Sequence, residues 1–312
     1  MLSAQVYRPV ASAFRWPCSV GFPGRGAVLR GLILNPAYEP YWKDAGLKWV
    51  RSNVHGYEMP CDLKIASGRF AYFLRRWNEA GTQSVLLTLL RSGDTFVDIG
   101  ANVGMATLTA ARAVGPDGRI LAFEPNPEVS SILAQSLRRN GLDQVELHPN
   151  AIGERPGHFS LFVPDSNHGE ASLGTEFADR PGKLVEVEVV DGSRLAALDR
   201  CDFIKIDVEG YEVHVIEAIS ETIRRHRPFV STEVVERHLE RCGNGVADLT
   251  ERLSSLGYKG LRYFHVAAGP LHLRAKLEPF KVEGPVSDTD VLWVPLERAE
   301  SIRSIEFEAI RR

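Results

Sequence analysis

Five carboxylates end or follow apolar, strand-like runs: Asp98 after Thr95-Phe96-Val97, Glu124 after Ile120-Leu121-Ala122-Phe123, Asp207 and Glu209 after Ile204-Lys205-Ile206, and Glu233 within 229–234. In an open α/β sheet the carboxyl ends of the strands gather around one crevice, so acids far apart in the chain can meet there. Each suits a task. Asp98 would repel a phosphate and hold an ammonium. Glu124, about 20 residues past Gly104, stands where a βαβ unit grips a ribose diol. Asp207, with Glu209 and Glu233 behind it, can accept a proton from a hydroxyl nucleophile or share a divalent cation.

The loop Gly100-Ala101-Asn102-Val103-Gly104 lies between the first of these strands and a helix-like run, 105–113. Glycine brings the backbone close to a ligand, and a helix start offers unpaired N–H groups. A dinucleotide fingerprint would need glycine where Asn102 and Met105 stand, so a pyrophosphate fits poorly. The expected ligand is a cationic nucleoside, with Asp98 at its ammonium, the glycine loop close beside it and Glu124 at its ribose; Pro125 and Asn126 form the turn that follows. An NAD-dependent oxidoreductase is the alternative from another class. Asn102 and the lack of a Tyr-x-x-x-Lys pair at a matching site weigh against it.

The elements that must position these groups follow from periodicity. Strands over 119–123 and 145–148 flank a helix over 129–139 that stops at Asn140-Gly141, and the loop after the third strand brings Asn150 and Ala151 to border an adenine ring. Apolar spacing over 70–90 predicts two helices meeting at Gly81, with Gln83 facing solvent. Residues 157–190 alternate as a hairpin or lid insertion, whose polar loop spans 166–172. Period 2 puts Lys205, Asp207 and Glu209 on one face of a strand, and one of Glu209 and Glu212 is expected to cap the next helix. A helix over 249–256, an antiparallel closing pair (258–265 and 290–295) and a charged amphipathic tail, 297–312, complete the chain. Residues 1–70 are expected to form a loop-rich extension or substrate cap, whose aromatic residues suit a sugar, and 71–312 the ligand-binding domain.

A chain of 312 residues with 44% hydrophobic and 25% charged residues reads as globular. Its net charge of −3 offers no general attraction to nucleic acid or an anionic membrane, so neither is an expected partner; homo-oligomerisation stays open. The four cysteines are scattered without C-x-x-C spacing, which argues against a zinc ribbon or disulfide framework. With no apolar run long enough for a membrane span and no secretory core, the expected location is cytoplasmic.

Three stretches in order, Asp98-Ile99-Gly100-Ala101-Asn102-Val103-Gly104, Phe123-Glu124-Pro125-Asn126-Pro127 and Ile204-Lys205-Ile206-Asp207-Val208-Glu209-Gly210-Tyr211-Glu212, resemble the FkbM family of S-adenosylmethionine-dependent methyltransferases. The resemblance implies a class I, Rossmann-like α/β fold: a doubly wound, mostly parallel seven-stranded sheet with an antiparallel C-terminal strand. It implies S-adenosylmethionine as cofactor and methylation of hydroxyl oxygens on sugars, polyketides or other natural products. Carried over, Asp98, Gly100, Asn102, Gly104 and Glu124 would contact the cofactor, while Asp207 and Glu209 would lie in the reaction centre. Family members often carry Glu where this chain has Gln83 and a small residue at Tyr211, which bears on the pocket's shape. The expected function is O-methylation of a small molecule or glycan by in-line transfer with carboxylate assistance. An RNA or protein acceptor is a further alternative, and whether a divalent metal takes part is open.

Overall fold

The computed structural model describes residues 4–20, 24–165, 171–174, 181–266, 272–282, 284–303 and 307–310. Its strands are β1 (Leu47–Arg51), β2 (Glu58–Asp62), β3 (Thr95–Ile99), β4 (Arg119–Phe123), β5 (Val145–His148), β6 (Ala151–Ile152), β7 (Gly157–Pro164), β8 (Gly182–Val190), β9 (Phe203–Ile206), β10 (Phe229–Val234), β11 (Tyr258–Val266), β12 (His272–Pro279), β13 (Thr289–Pro295) and β14 (Phe307–Ile310). Nine of them form the central sheet, in the order β14-β12-β11-β13-β10-β9-β3-β4-β5. The run from β5 to β10 is parallel, and β13 is antiparallel to both β10 and β11. The seven strands from β5 to β11 are thus the class I α/β sheet with its reversed C-terminal strand. Beyond them β12 and β14 extend the edge, so part of what reads as a charged tail is instead a strand paired with β12.

Alternation in the central strands decides the two faces. Phe96 and Phe203 point to one side and join the helices Ala66–Leu74, Ala80–Leu89, Met105–Val114 and Pro127–Asn140 in one buried cluster. Val97, Ile99, Ile204 and Ile206 point to the other and meet the helices Glu212–Ala218, Ser220–His226 and Val246–Ser255. Strands buried on both faces carry apolar residues at nearly every position, which is why β3, β4 and β9 are short continuous runs. Asp98 and Lys205 share the Phe96 face and are the polar exceptions within it.

The N-terminal segment is not loop-rich. It folds as the short helices Ala4–Ala13, Arg15–Val20 and Arg25–Val28, a π turn Leu29–Ile33 and a 3-10 helix Pro36–Trp42, followed by the β1–β2 hairpin. Prolines at 9, 17, 36 and 40 keep the pieces short, and ring packing joins them: Tyr7 stacks on Tyr38 at 4.4 Å and meets Trp42 edge-on at 5.7 Å. Asn140 clasps the hairpin to the sheet domain, donating to the Glu58 carbonyl and accepting from the Glu58 N–H, both at 2.8 Å. The break between the next two helices falls at 75–79, where Arg75 takes a left-handed φ of 53°. Gly81 lies inside the second helix, close under the β11 backbone. The insertion is the antiparallel hairpin β7–β8, and most of its expected lid loop, 166–170, lies outside the described residues. No helix among the described residues is long and apolar enough to cross a membrane, and all four cysteines are free.

Candidate active site

At the carboxyl ends of β3, β4, β9 and β10 lies a cavity of about 520 Å³. Its walls include Gly100, Asn102, Glu124, Pro125, Asn150 and Ala151 together with Asp207, Glu209 and Glu233. Nine of the twelve residues expected from the sequence therefore share one cavity. Asp98, Gly104 and Asn126 do not line it.

Those three support it from behind. Asp98 is fully buried; its Oδ2 accepts from Thr107 Oγ1 at 2.5 Å, and its Oδ1 has no hydrogen-bond partner among the described residues. Burial pushes the Asp98 carboxyl up, against the pull of Lys205. Gly104 starts the helix Met105–Val114 at φ 90°, where a Cβ would lie 2.4 Å from Leu133 Cδ1. Asn126 is the N-cap of Pro127–Asn140: its Oδ1 accepts from the Glu128 N–H at 3.1 Å.

The glycine loop is shaped by close approach. Gly100 has φ 81°, and a Cβ there would stand 1.8 Å from the Asp207 carbonyl oxygen, so β3 and β9 deliver their ends together only because position 100 is bare. Asn102 also takes a positive φ, 52°, and its N–H donates to Glu124 Oε2 at 2.8 Å. Glu124 Oε1 accepts from the Asn126 N–H at 2.9 Å. A carboxylate has about four acceptor positions, so Glu124 keeps capacity for a diol in the cavity. Burial pushes its carboxyl up to about 7 despite these two N–H donors. With Phe123, Val129, Ile132, Ile152 and Leu161 supplying apolar wall beside Glu124, the donor set and cavity fit the ribose and adenine of S-adenosylmethionine.

Around Asp207 several acids gather on one buried cation. Lys205 Nζ lies 2.7 Å from Asp207 Oδ2. Burial alone would lower the Lys205 ammonium pKa, but Asp207, Asp98 and Glu79 together outweigh it and hold it up. Glu79 was not legible as a site residue. It lines the cavity, accepts from Trp77 Nε1 at 2.8 Å, and burial pushes its carboxyl up. Its signal was an acid just ahead of an apolar helix. Gln83 faces inward rather than to solvent: it is 2% exposed and its Nε2 donates to the Trp77 and Glu79 carbonyls, pinning the 77–79 turn at the cavity.

Period 2 along the third motif holds to Asp207 and fails at Glu209, because β9 ends at Ile206 and Glu209 takes a left-handed φ of 55°. Of the two acids around Gly210, Glu212 is the first residue of the next helix, whose N-cap is Tyr211, and it ties down the turn before the helix rather than capping it: its Oε1 accepts from the Val208 and Gly210 N–H groups, both at 3.2 Å, and burial pushes its carboxyl up to about 7. Glu233 is also pushed up, by burial first and then by Asp207, Glu209, Asp290 and Asp288. His238, on the helix Glu236–Arg241, stands 2.9 Å from Glu209 Oε2 and was not anticipated, since no sequence spacing ties it to the motif.

The N-terminal segment reaches the same cavity, though not through its aromatic residues, which mostly pack on one another. Leu47, Pro60, Asp62, Lys64, Ile65 and Ser67 line it instead. Arg69, fully buried, fixes this stretch by donating from Nη1 to the Leu63 and Lys64 carbonyls at 3.1 and 2.8 Å.

A family model for the methyltransferase FkbM domain matches residues 98–259, more than half of the chain, from the acid at the end of β3 to the start of β11. The chain belongs to the FkbM methyltransferase family. Its cofactor is therefore S-adenosylmethionine, the nucleoside that the cavity fits. Among curated relatives, "Methyltransferase sdnD" of Sordaria araneosa is 31% identical over 182 residues, covering 47% of this chain and 67% of that protein. "Methyltransferase 1" of Beauveria bassiana is 29% identical over 165 residues, covering 46% and 64%. The chain thus spans about two thirds of the length of these curated relatives. A solved structure titled methyltransferase FkbM, from Methylobacillus flagellatus, aligns with a TM-score of 0.41 at 16% identity, over 74% of this chain and 54% of that one.

Proposed function

We propose that this FkbM-family protein transfers a methyl group from S-adenosylmethionine to a hydroxyl oxygen of a small molecule or glycan. The observation that carries the reading is that acids from three strand ends, Glu124, Asp207 and Glu233, line one cavity of about 520 Å³, within the range of small-ligand sites. When bound, S-adenosylmethionine supplies an electrophilic methyl group on a sulfonium.

The chain's own residues then have two tasks. Glu124 and the loop 100–103 hold the nucleoside end, the carboxylate accepting from the ribose hydroxyls. Asp207 accepts the proton of the acceptor hydroxyl through the carboxylate whose Oδ2 is fixed by Lys205 Nζ. Alignment of the two reactants supplies most of the remaining rate. Asp62, Lys64, Ser67, Trp77 and Asn78 give the acceptor side polar groups and one aromatic face, which suits a hydroxylated acceptor. Residues 1–70 thereby contribute a wall of the substrate site, in line with a cap.

The test is incubation with methyl-labelled S-adenosylmethionine and hydroxylated acceptors, sugars and polyketides included, followed by mass spectrometry. Gain of one labelled methyl on an oxygen supports the reading. Label found only on RNA or protein, or binding of NAD in place of S-adenosylhomocysteine, overturns it.

A further inference from the structure

We propose that Glu209, Glu233 and His238 form a divalent-cation site on the rim of the cavity, with the chemistry of a Mn²⁺ site. One donor atom from each lies within 4.8 Å of the other two. Metal–ligand bonds of about 2.0–2.2 Å hold neighbouring donors about 3–4 Å apart, so small rotamer changes close the set around an ion.

Three separate elements bring the donors together, and backbone contact sets their spacing. Glu209 is held in a left-handed turn, and its carbonyl accepts from Ser172 Oγ at 2.8 Å. Gly210 next to it has φ 109°, and a Cβ there would lie 2.0 Å from the His238 carbonyl oxygen. The turn carrying Glu209 is therefore seated on the helix carrying His238, while Glu233 comes from β10, whose position is set by ladders on both sides. Within this set, His238 Nδ1 is buried 2.9 Å from Glu209 Oε2 without the alignment of a hydrogen bond, an arrangement suited to two ligands of one ion.

The surroundings favour a cation. The charges acting most strongly on Glu233 are all negative: Asp207, Glu209, Asp290 and Asp288. Two carboxylate oxygens and one imidazole nitrogen form a hard-to-borderline set, which suits Mn²⁺ more than a soft, thiolate-seeking metal. Glu209 and Glu233 line the cavity, so an ion between them would have coordination positions open towards an acceptor oxygen. Its chemical use rests on the methyl-transfer reading: a coordinated hydroxyl loses its proton more readily, and Asp207 is the neighbouring carboxylate to receive it.

The test is titration of the chelator-stripped full chain with Mn²⁺, followed by the loss of the free-ion electron paramagnetic resonance signal. Calorimetric binding of S-adenosylhomocysteine is the independent control. One saturable site is expected, with Glu233→Gln and His238→Ala each weakening it at least about tenfold, a loss that even an outer-shell partner can cause, at unchanged S-adenosylhomocysteine affinity. Where a variant melts well below the parent, Glu209→Gln replaces it in the comparison. Absence of saturable Mn²⁺ binding, or equal binding by the variants, overturns the site, leaving Glu209 and His238 an ion pair. Mn²⁺ binding as expected without methyl transfer to any hydroxyl would instead keep the site and overturn the methyl-transfer reading.

Discussion

Lys205 Nζ and Asp207 Oδ2 lie 2.7 Å apart, the lysine side chain 10% exposed and the aspartate 28%. The pair sits among Asp98 and Glu79, so the lysine neutralises more than its nearest partner. Removing the cation leaves buried carboxylates uncompensated. Lys205→Met is expected to cost about 3–5 kcal/mol, read as a lower urea midpoint in equilibrium unfolding.

Asp207→Asn keeps the shape but removes the carboxylate proposed as the base. Turnover with an accepted substrate should fall by about 10²–10⁴, while calorimetric affinity for S-adenosylhomocysteine changes little. Near-parental turnover in this variant would reassign the proton acceptor to Glu209 or Glu233.

Glu124 makes cofactor affinity depend on pH. Its carboxyl is pushed up to about 7 by burial, above an unfolded value of about 4.3. Between those values the folded protein binds a proton that the unfolded chain has lost, so this group's stabilisation is present at low pH and is lost as pH rises through 7. Glu212, also near 7, acts in the same direction. On the proposed role of Glu124 the ribose is held by the carboxylate form, so S-adenosylhomocysteine affinity should rise about tenfold per pH unit up to 7 and then level off. Calorimetry from pH 5.5 to 8.5 checks this, and Glu124→Gln should flatten the profile.

Gly100→Ala tests the close approach of β3 and β9. A positive φ and a Cβ 1.8 Å from the Asp207 carbonyl oxygen should together cost about 2–5 kcal/mol. A melting temperature within a degree of the parent would show that the loop relaxes.

Lys64 and Asp62 test the acceptor wall. Lys64→Ala or Asp62→Ala should raise the acceptor KM about tenfold or more, the worth of one charge-assisted hydrogen bond, at constant affinity for S-adenosylhomocysteine. Equal effects on both ligands would put these residues on the cofactor side.

The class I order of strands and most of the site were legible because both depend on local patterns. An acid closing a short apolar run at β3, β4 or β9 marks a rim position wherever the sheet is parallel. Glu79, Gln83 and His238 were missed or misplaced because their roles depend on packing between segments without a shared spacing. The helical N-terminal pieces were hidden for a related reason: proline-broken turns too short for a clear period are held by ring contacts such as Tyr7 on Tyr38.

By itself the sequence determined a glycine-kinked crevice with acids at Glu124 and Asp207, because strand ends and turn chemistry are written in neighbouring residues. Only the tertiary structure decided that Asp98 stands behind the cavity, that Glu212 ties down the turn before its helix, and that Asp62 and Lys64 join the cavity wall. Those outcomes turn on which way side chains point once β9 ends and on which distant segment fills the space beside it. Burial and contact across the fold settle both.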